Sequence, residues 1–325
     1  MRGLLSARLL HVAEPGKSRG EYRIKFMFRR AANNAYLMLL ATTLMWSANG
    51  MASRMAVGEV SPMAIVSLRW LIAGLILITF AHRQILADWQ ILKHHPVLML
   101  FGGAVGFTGF NSLFYIAAHT TSAVNMTLLQ GSIPIFVLIG SALLYRLTVS
   151  PLQWIGVMLT ILGVMVVAAK GSFETLKSLT FNIGDIWLIL ACSLYALYAL
   201  RLRNRPKVSG IGFFSVMAII AFLASLPLIG IESQFGTLQW PTPKGWVILA
   251  FIALFPSLLA QLTFLRAVDL IGPSRASIFT NLVPIFGPAL AVLTLGEEFH
   301  LFHAASLVLV LGGITLAEWK RGEAI

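Results

Sequence analysis

The sequence predicts an all-α integral membrane protein with ten transmembrane helices arranged as two inverted five-helix repeats. Three observations lead to this prediction: the composition of the chain, a repeat at a constant offset, and the placement of the basic residues. The chain has 325 residues, of which 58% are hydrophobic and only 11% are charged. Soluble domains carry about 25% charged residues, so this composition excludes an ordinary soluble protein.

The chain contains ten stretches with the length and apolarity of a transmembrane helix, which needs ~20 mostly apolar residues. They cover residues 35–55, 62–81, 96–117, 122–144, 151–169, 183–201, 211–231, 246–265, 274–295 and 300–317. The connections between them are short, so we expect no soluble domain. A basic N-terminal tail, 1–34, and a C-terminal tail, 318–325, remain.

The second observation is an ungapped repeat at an offset of 150 positions. At this offset Pro134 pairs with Pro284, and each proline stands near the middle of a hydrophobic stretch. The offset predicts a duplicated chain with repeats at 35–169 and 183–317. Because five spans are an odd number, the second repeat must enter the membrane in the opposite orientation. Such duplications are typical of transporters.

The third observation is where the basic residues lie. The formal net charge is +12, and eighteen lysines and arginines fall on the side predicted to hold both termini. The opposite connections carry only Lys170, Lys177 and Lys244. Basic residues mark the cytoplasmic side, so both termini are predicted to be cytoplasmic, with the protein in the inner (plasma) membrane. This placement explains the charge without nucleic acid as a partner.

The N-terminal tail lacks a continuous apolar segment and therefore does not match a cleavable signal peptide. Two interpretations of the tail compete. It is either a cytoplasmic segment that contacts anionic lipid, or an extension upstream of a natural start at Met27. The second interpretation is favoured because Met27-Phe28-Arg29-Arg30 is a compact basic flank for the first span.

The first span carries a polar stripe at helical spacing that includes Trp46 and Asn49. Such a stripe should face protein or a water-filled cavity rather than lipid. Trp46 stands in mid-span, where it serves either in packing or as part of a cavity wall. Arg54 closes the helix.

Arg69 lies about two turns inside the second span, where an arginine costs roughly 2.5–3.5 kcal/mol. One interpretation is structural: Arg69 reaches the outer interface, bonds helix-end carbonyls, or pairs with Glu59 or Glu298. The other is functional: it faces a cavity and attracts an anionic group of the substrate. Neither Arg54 nor Arg69 has a basic counterpart 150 positions later.

Prolines interrupt the fourth and ninth spans at Pro134 and Pro284. Proline has no N–H, so the carbonyl four residues earlier loses its helical partner and must be satisfied by a neighbouring helix, a side chain or water. Gln130 and Asn281 lie beside the prolines and add hydrogen-bonding groups. Two kinks near the bilayer centre predict a central site. The alternative is a bend that only shapes packing.

The other spans carry candidates of two kinds. Asn111 in the third span and Gln261 in the eighth are side-chain amides at matching positions of the two repeats. Tyr195 in the sixth span either lines a pocket or anchors the inner interface. Glycines in spans five and ten, among them Gly156 and Gly313, predict close helix packing.

The sequence shows no motif for covalent chemistry, nucleotide hydrolysis or metal binding. It has no Walker motif, no serine elbow, no His-x-x-x-His pair and no paired intramembrane aspartates, and Cys192 is the single cysteine. We therefore expect no enzyme activity, cofactor or metal. Acidic residues such as Asp185 and Glu297 stand at span ends, so no mid-span carboxylate is predicted to carry a proton.

The chain resembles the EamA branch of the drug/metabolite transporter superfamily over about residues 36–318. The resemblance rests on Trp46-Ser47-Ala48-Asn49 with Arg54, Arg69-Trp70, the Pro134 and Pro284 helices, and Gly296-Glu297. It implies two inverted five-helix repeats around a central cavity lined mainly by spans other than five and ten. It also implies transport of small organic solutes, often by export. The family's acidic residue after span four is missing at Tyr145-Arg146-Leu147.

The combined prediction is a secondary transporter that exports small organic metabolites, amino-acid-like or drug-like, by alternating access. A membrane-embedded enzyme or lipid-handling protein without transport activity is the alternative. The bilayer and a small solute are the expected partners, while the coupling ion, a proton or another, and the oligomeric state stay open. The candidate substrate-binding residues are Trp46, Asn49, Arg54, Arg69, Asn111, Gln130, Pro134, Tyr195, Gln261, Asn281 and Pro284.

The topology prediction can be checked with reporter fusions. Fusions at Arg205 and Arg321 should report the cytoplasm, and fusions at Ser178 and Gln239 should report the outside. A cytoplasmic signal at Ser178 would contradict the inverted repeat, which requires an odd number of spans before that connection.

Overall fold

In the computed structural model the described residues are 34–146, 148–174 and 182–318, and they fold as helices joined by short connections. No strand occurs within these ranges. Several predictions lie outside the described residues. They concern the start at Met27, the rest of the tails, and the connection that holds Lys177 and Ser178.

The helices follow one another with few residues between them. In chain order they are α1 (Ala35–Met55), α2 (Pro62–Leu92), α3 (Pro96–Ala117), α4a (Ala123–Gln130), α4b (Ile133–Tyr145), α5 (Pro151–Ala168), α6 (Ile183–Arg201), α7 (Gly210–Gln234), α8 (Pro243–Ile271), α9a (Pro273–Ile278), α9b (Val283–Leu295) and α10 (Leu301–Glu318).

Eight helical stretches of the described chain are long and apolar enough to cross a membrane. They comprise α2, α3, α4a with α4b, α5, α6, α7, α8, and α9a with α9b. Helix α1 is not among them, and α10 is a shorter apolar helix. The protein is therefore an all-helical, multi-pass membrane protein. The count of ten spans and their inverted arrangement stay predictions.

Helix α2 extends to Leu92, well beyond the end predicted at residue 81. Hydropathy detects only the apolar part of a helix, whereas the helix itself continues until its backbone hydrogen bonds end. Here the break comes shortly before Pro96, which begins α3. A residue that precedes proline is disfavoured in the α conformation, so the chain turns at this point.

The proline helices are broken rather than bent. Helix α4a ends at Gln130, a short turn follows, and α4b restarts with Pro134 in its first turn. The second repeat is similar, because a 3₁₀ segment at Phe279–Leu282 precedes α9b, which has Pro284 in its first turn. Proline is tolerated at the start of a helix, where its missing N–H would have no partner.

Helices α3 and α8 each contain a π-helical segment, at Phe101–Gly109 and Ala253–Leu259. The two segments end 150 positions apart, which is the offset of the sequence repeat. π-Helical turns are rare and occur frequently at functional sites. The irregular turns of the two halves thus fall at corresponding positions, beside the helix breaks.

Helices α5 and α10 pack closely through glycine, as their sequences predict. A Cβ atom at Gly313 would lie 2.2 Å from the Thr160 hydroxyl oxygen and 2.5 Å from the Gly156 carbonyl oxygen. A Cβ at the neighbouring Gly312 would meet nothing within 4 Å. The contact therefore depends on the missing side chain at one of two adjacent glycines.

This contrast yields a matched pair of variants. Gly313→Ala should lower the melting temperature of the purified protein in detergent, because forcing a methyl group into a packed contact costs about 1–3 kcal/mol. Gly312→Ala should leave it unchanged or slightly raised, since alanine favours helix over glycine. Equal melting temperatures for the two variants would contradict the close α5–α10 contact.

Candidate functional site

A central cavity with a volume of about 180 Å³ lies where the helix breaks meet. Ten of the eleven candidate residues predicted from the sequence line it. They are Trp46, Asn49, Arg69, Asn111, Gln130, Pro134, Tyr195, Gln261, Asn281 and Pro284. These side chains come from α1, α2, α3, α4a, α4b, α6, α8 and α9b and from the 3₁₀ segment.

Arg54 lies elsewhere. It sits at the end of the bundle that the topology prediction places outside, called here the predicted external face. Its guanidinium Nη1 donates a hydrogen bond to the Ala118 carbonyl oxygen at the end of α3. It lines a second cavity of about 450 Å³, called here the external cavity, together with His119, Asn182 and Glu297.

Arg69 is the polar centre of the central cavity wall, and only 4% of its surface is exposed. Its Nε donates to the Ser257 hydroxyl at 2.9 Å. Its Nη1 donates to Asn111 Oδ1 at 2.6 Å and to the Tyr115 hydroxyl at 2.5 Å. The Tyr115 hydroxyl in turn donates to Asn49 Oδ1 at 3.0 Å. One guanidinium thus joins α2, α3 and α8 directly, and α1 through a tyrosine.

The partners of Arg69 are all neutral. The two carboxylates considered from the sequence are engaged elsewhere, Glu59 with Lys244 at 3.0 Å and Glu298 with His300 at 3.3 Å. The interpretation that Arg69 pairs with Glu59 or Glu298 is therefore wrong. The hydrogen-bond partners of Arg69 are side chains rather than helix-end carbonyls. Its Nη2 has no hydrogen-bond partner among the described residues. The guanidinium gives the cavity a positive charge that its neutral partners only partly offset.

Aromatic rings form a large part of the cavity wall near Arg69. Trp70 and Phe107 stack with ring centroids 4.8 Å apart, and the Arg69 guanidinium lies 5.1 Å from the Trp70 ring. Phe110 and Tyr195 meet at 5.2 Å. Rings packed in this way hold the guanidinium in one position and offer flat apolar faces to a bound molecule.

Side-chain amides supply the other polar groups of the cavity. Gln130 ends α4a, Asn281 lies in the 3₁₀ segment before α9b, and Gln261 lies in α8 just after its π-helical segment. An amide both donates and accepts hydrogen bonds. The cavity thus combines one fixed cation, neutral amides and aromatic surface, which suits a small solute with an acidic group and an apolar part.

Sequence analysis missed several residues of this site. Tyr115 and Ser257, which fix Arg69, were not among the candidates, and neither were Trp70 and Phe107. A tyrosine or phenylalanine in a span looks the same in sequence whether it packs against another helix or lines a cavity. The one available signal was the position of Trp70 directly after Arg69.

The comparisons with known proteins identify the family. The model of the EamA-like transporter family matches residues 33–169 and, a second time, residues 182–319. This chain belongs to the EamA-like transporter family. The family assignment agrees with the resemblance found in the sequence.

Relatives in the family carry transporter names. An uncharacterized transporter, YyaM, of Bacillus subtilis (strain 168) is 28% identical over 286 residues, covering 87% of this chain and 93% of the relative. An uncharacterized inner membrane transporter, YicL, of Salmonella typhimurium is 24% identical over 296 residues, covering 86% and 93%. The family and these relatives show a membrane transporter and point away from an enzyme.

A solved structure described only as "Crystal structure of protein" has the same fold. It superposes with a TM-score of 0.61 at 18% identity, covering 89% of this chain and 99% of the other. At this identity the likeness concerns the fold alone.

Among the described residues, no group of three or more His, Cys, Asp or Glu side chains could hold a metal ion.

The role of the helix breaks at the cavity can be tested by replacing each proline with alanine, which restores the backbone N–H group that proline lacks. Pro134→Ala and Pro284→Ala should each allow neighbouring helical segments to join, and should lower transport in proteoliposomes more than expression. Pro227→Ala is the control, since Pro227 is an exposed proline inside α7 and does not line the cavity. Parent-level transport by both test variants would make the breaks packing features.

Proposed function

We propose that this EamA-like transporter is a secondary transporter for small organic solutes that carry a carboxylate or another acidic group. Amino-acid-like metabolites fit this description, and drug-like solutes fit it when they bear such a group. The observation that carries the proposal is Arg69, a buried guanidinium in the wall of the central cavity whose partners are neutral. An anion in the cavity would supply the missing negative charge.

The geometry around Arg69 supports recognition of an anion. Nε and Nη1 are held by Ser257, Asn111 and Tyr115, which leaves Nη2 to donate to a ligand. A hydrogen bond between ions is stronger than one between neutral groups, and it is stronger in an apolar wall than in water. Cavity-lining amides such as Gln261 would then contact the polar remainder of the solute.

Alternating access around this cavity is part of the proposal. The helix breaks and π-helical segments occur at corresponding positions of the two halves, which supports repeats at 35–169 and 183–317. We propose that the repeats are inverted, that ten helices cross the membrane, and that both termini are cytoplasmic. The excess of basic residues on that side supports this orientation.

Export and an inner-membrane location complete the proposal. The name of the Salmonella relative places that protein in the inner membrane, and the same location is proposed here. Export is the direction that the family resemblance implies. The solute and the surrounding lipid are the expected partners.

An enzyme or lipid-handling protein is the second candidate, and the lining of the cavity argues against the enzyme. The described side chains that line the central cavity include no histidine, cysteine, aspartate or glutamate. General acid–base chemistry relies mainly on these residue types. The cavity is thus better suited to bind a solute than to transform it.

The proposal predicts how Arg69 variants behave in proteoliposomes. Arg69→Gln should lower the affinity for anionic and zwitterionic solutes roughly tenfold or more, because a charge-assisted hydrogen bond contributes about 1.5–3 kcal/mol. Arg69→Lys keeps the charge but loses the planar fork, so it should fold and bind more weakly. Asn111→Asp should also weaken binding, since a carboxylate beside Arg69 would neutralise it.

The control for these variants is Arg83→Gln, which removes an exposed arginine from the same helix outside the cavity. It should leave affinity unchanged. A purely structural role for Arg69 would appear as a lower melting temperature with unchanged affinity in the protein that survives. Equal affinities of the parent, Lys and Gln forms would remove Arg69 from the site.

A further inference from the structure

A second polar cluster lies at the predicted external face, centred on Asp185 in the first turn of α6. The Asp185 side chain has no exposed surface. Its Oδ1 accepts a hydrogen bond from the Thr121 hydroxyl and a long one, 3.5 Å, from Asn125 Nδ2. Its Oδ2 is buried without a hydrogen-bond partner among the described residues. A fully buried carboxylate oxygen in this state is unusual, because native structures satisfy nearly all such groups.

One of the two donors to Asp185, the Asn125 amide, is held in place by His303 of α10. The backbone N–H of His300 donates to His303 Nδ1 at 3.0 Å, so this nitrogen must be an acceptor. The proton of the neutral ring then lies on Nε2, which donates to Asn125 Oδ1 at 3.2 Å. This bond orients the Asn125 amide so that its NH₂ group faces Asp185. The contacts therefore hold His303 neutral and leave Asp185 as the titratable group of the cluster.

The cluster is close to water although Asp185 itself is covered. Thr121, Asn125 and His303 line the external cavity, and two of them touch Asp185 directly. Other charged or titratable groups border the same region from the surrounding elements: Arg54, His119, Lys170, Glu297, Glu298 and His300. Lys170 forms no ion pair with Asp185 among the described contacts.

We propose that Asp185 is a proton-binding site reached from the external cavity, and that its charge state controls how firmly the start of α4a is held at the predicted external face. A proton from water in the external cavity adds to the carboxylate and leaves by the same route. When Asp185 is ionised, the Thr121 bond is charge-assisted and holds the start of α4a against α6. When Asp185 is protonated, that bond weakens and α4a is freer to move away.

The position of α4a links this site to the central cavity. Helix α4a begins at the Asp185 cluster and ends at Gln130, which lines the central cavity next to the helix break. The same start of α4a is held by Glu297, whose carboxylate accepts from the N–H groups of Ala123 and Val124 at 2.9 Å each. A change at Asp185 therefore acts on a short helix that borders both cavities. This part of the inference rests on the proposed transport function.

The first experiment measures proton binding without transport. Infrared difference spectra of the purified protein in lipid nanodiscs, recorded as pH is lowered, should show a protonated carboxyl band that Asp185→Asn removes and Glu59→Gln keeps. Glu59 is a suitable control because the Thr242 hydroxyl and then Lys244 lower the pKa of its carboxyl. Thr121→Val should shift the band's midpoint upward by about one pH unit or more, since it removes a donor to the ionised form. This variant keeps the test decisive if Asp185→Asn does not fold.

The second experiment measures transport as a function of external pH. In proteoliposomes of known orientation, acidifying the external side should change the solute counterflow rate of the parent and of Glu59→Gln. Asp185→Asn should show the same rate at every external pH, because its amide mimics the protonated acid. Absence of the Asp185 carboxyl band, or an unchanged pH dependence in Asp185→Asn, would overturn the inference. Failure of all forms to transport, with the band present, would instead count against the proposed function.

Discussion

The need to satisfy a guanidinium within an apolar wall organises the centre of this protein. Arg69 has 4% of its surface exposed, so water contributes little, and its bonds must come from neighbouring helices. Ser257 and Asn111 accept from it directly, and Tyr115 passes the contact on to Asn49. Four helices thus meet at one cation. Removing that cation would leave several buried acceptors without a donor. Unsatisfied polar groups are costly in a low-dielectric environment, so the removal should destabilise the centre of the protein.

Irregular backbone surrounds the same point. A π-helical segment lies in α3 and another in α8, while α4a and α4b are separated by a turn and α9b follows a 3₁₀ segment. Irregular backbone is tolerated at membrane depth only where protein or a water-filled cavity can satisfy it. The coincidence of these segments with the central cavity is therefore expected physically.

The two cavities share α4a. Its start contacts Asp185, Glu297 and the His303 network, and its end borders the central cavity at Gln130. In the mechanism proposed here, the turn between α4a and α4b lets α4a move without displacing a whole membrane-spanning helix. The close glycine contacts between α5 and α10, by contrast, suit a rigid part of the bundle.

The sequence by itself determined the membrane class, the family and the positions of the helix breaks. Apolar runs and prolines affect the helix in which they lie, so short stretches such as the one around Pro134 are enough to predict spans and helix breaks. Polar residues in mid-span, such as Asn111 and Gln261, were also recognisable as cavity candidates, because exposure to lipid would cost too much. The local apolar pattern could not predict where a helix ends beyond its apolar part, and α2 accordingly continues to Leu92.

Only the tertiary structure decided what each polar group contacts. Arg54 and Arg69 were both candidate substrate-binding residues, yet one lies at the external cavity and the other at the central cavity. The sequence placed Asp185 at the end of a span and gave it no further role. Its burial beside Asn125 depends on contacts between helices that are distant in the chain. Such contacts join residues separated by 42 to 188 positions. A sequence pattern records the periodicity of each helix, but it does not record which faces of distant helices meet.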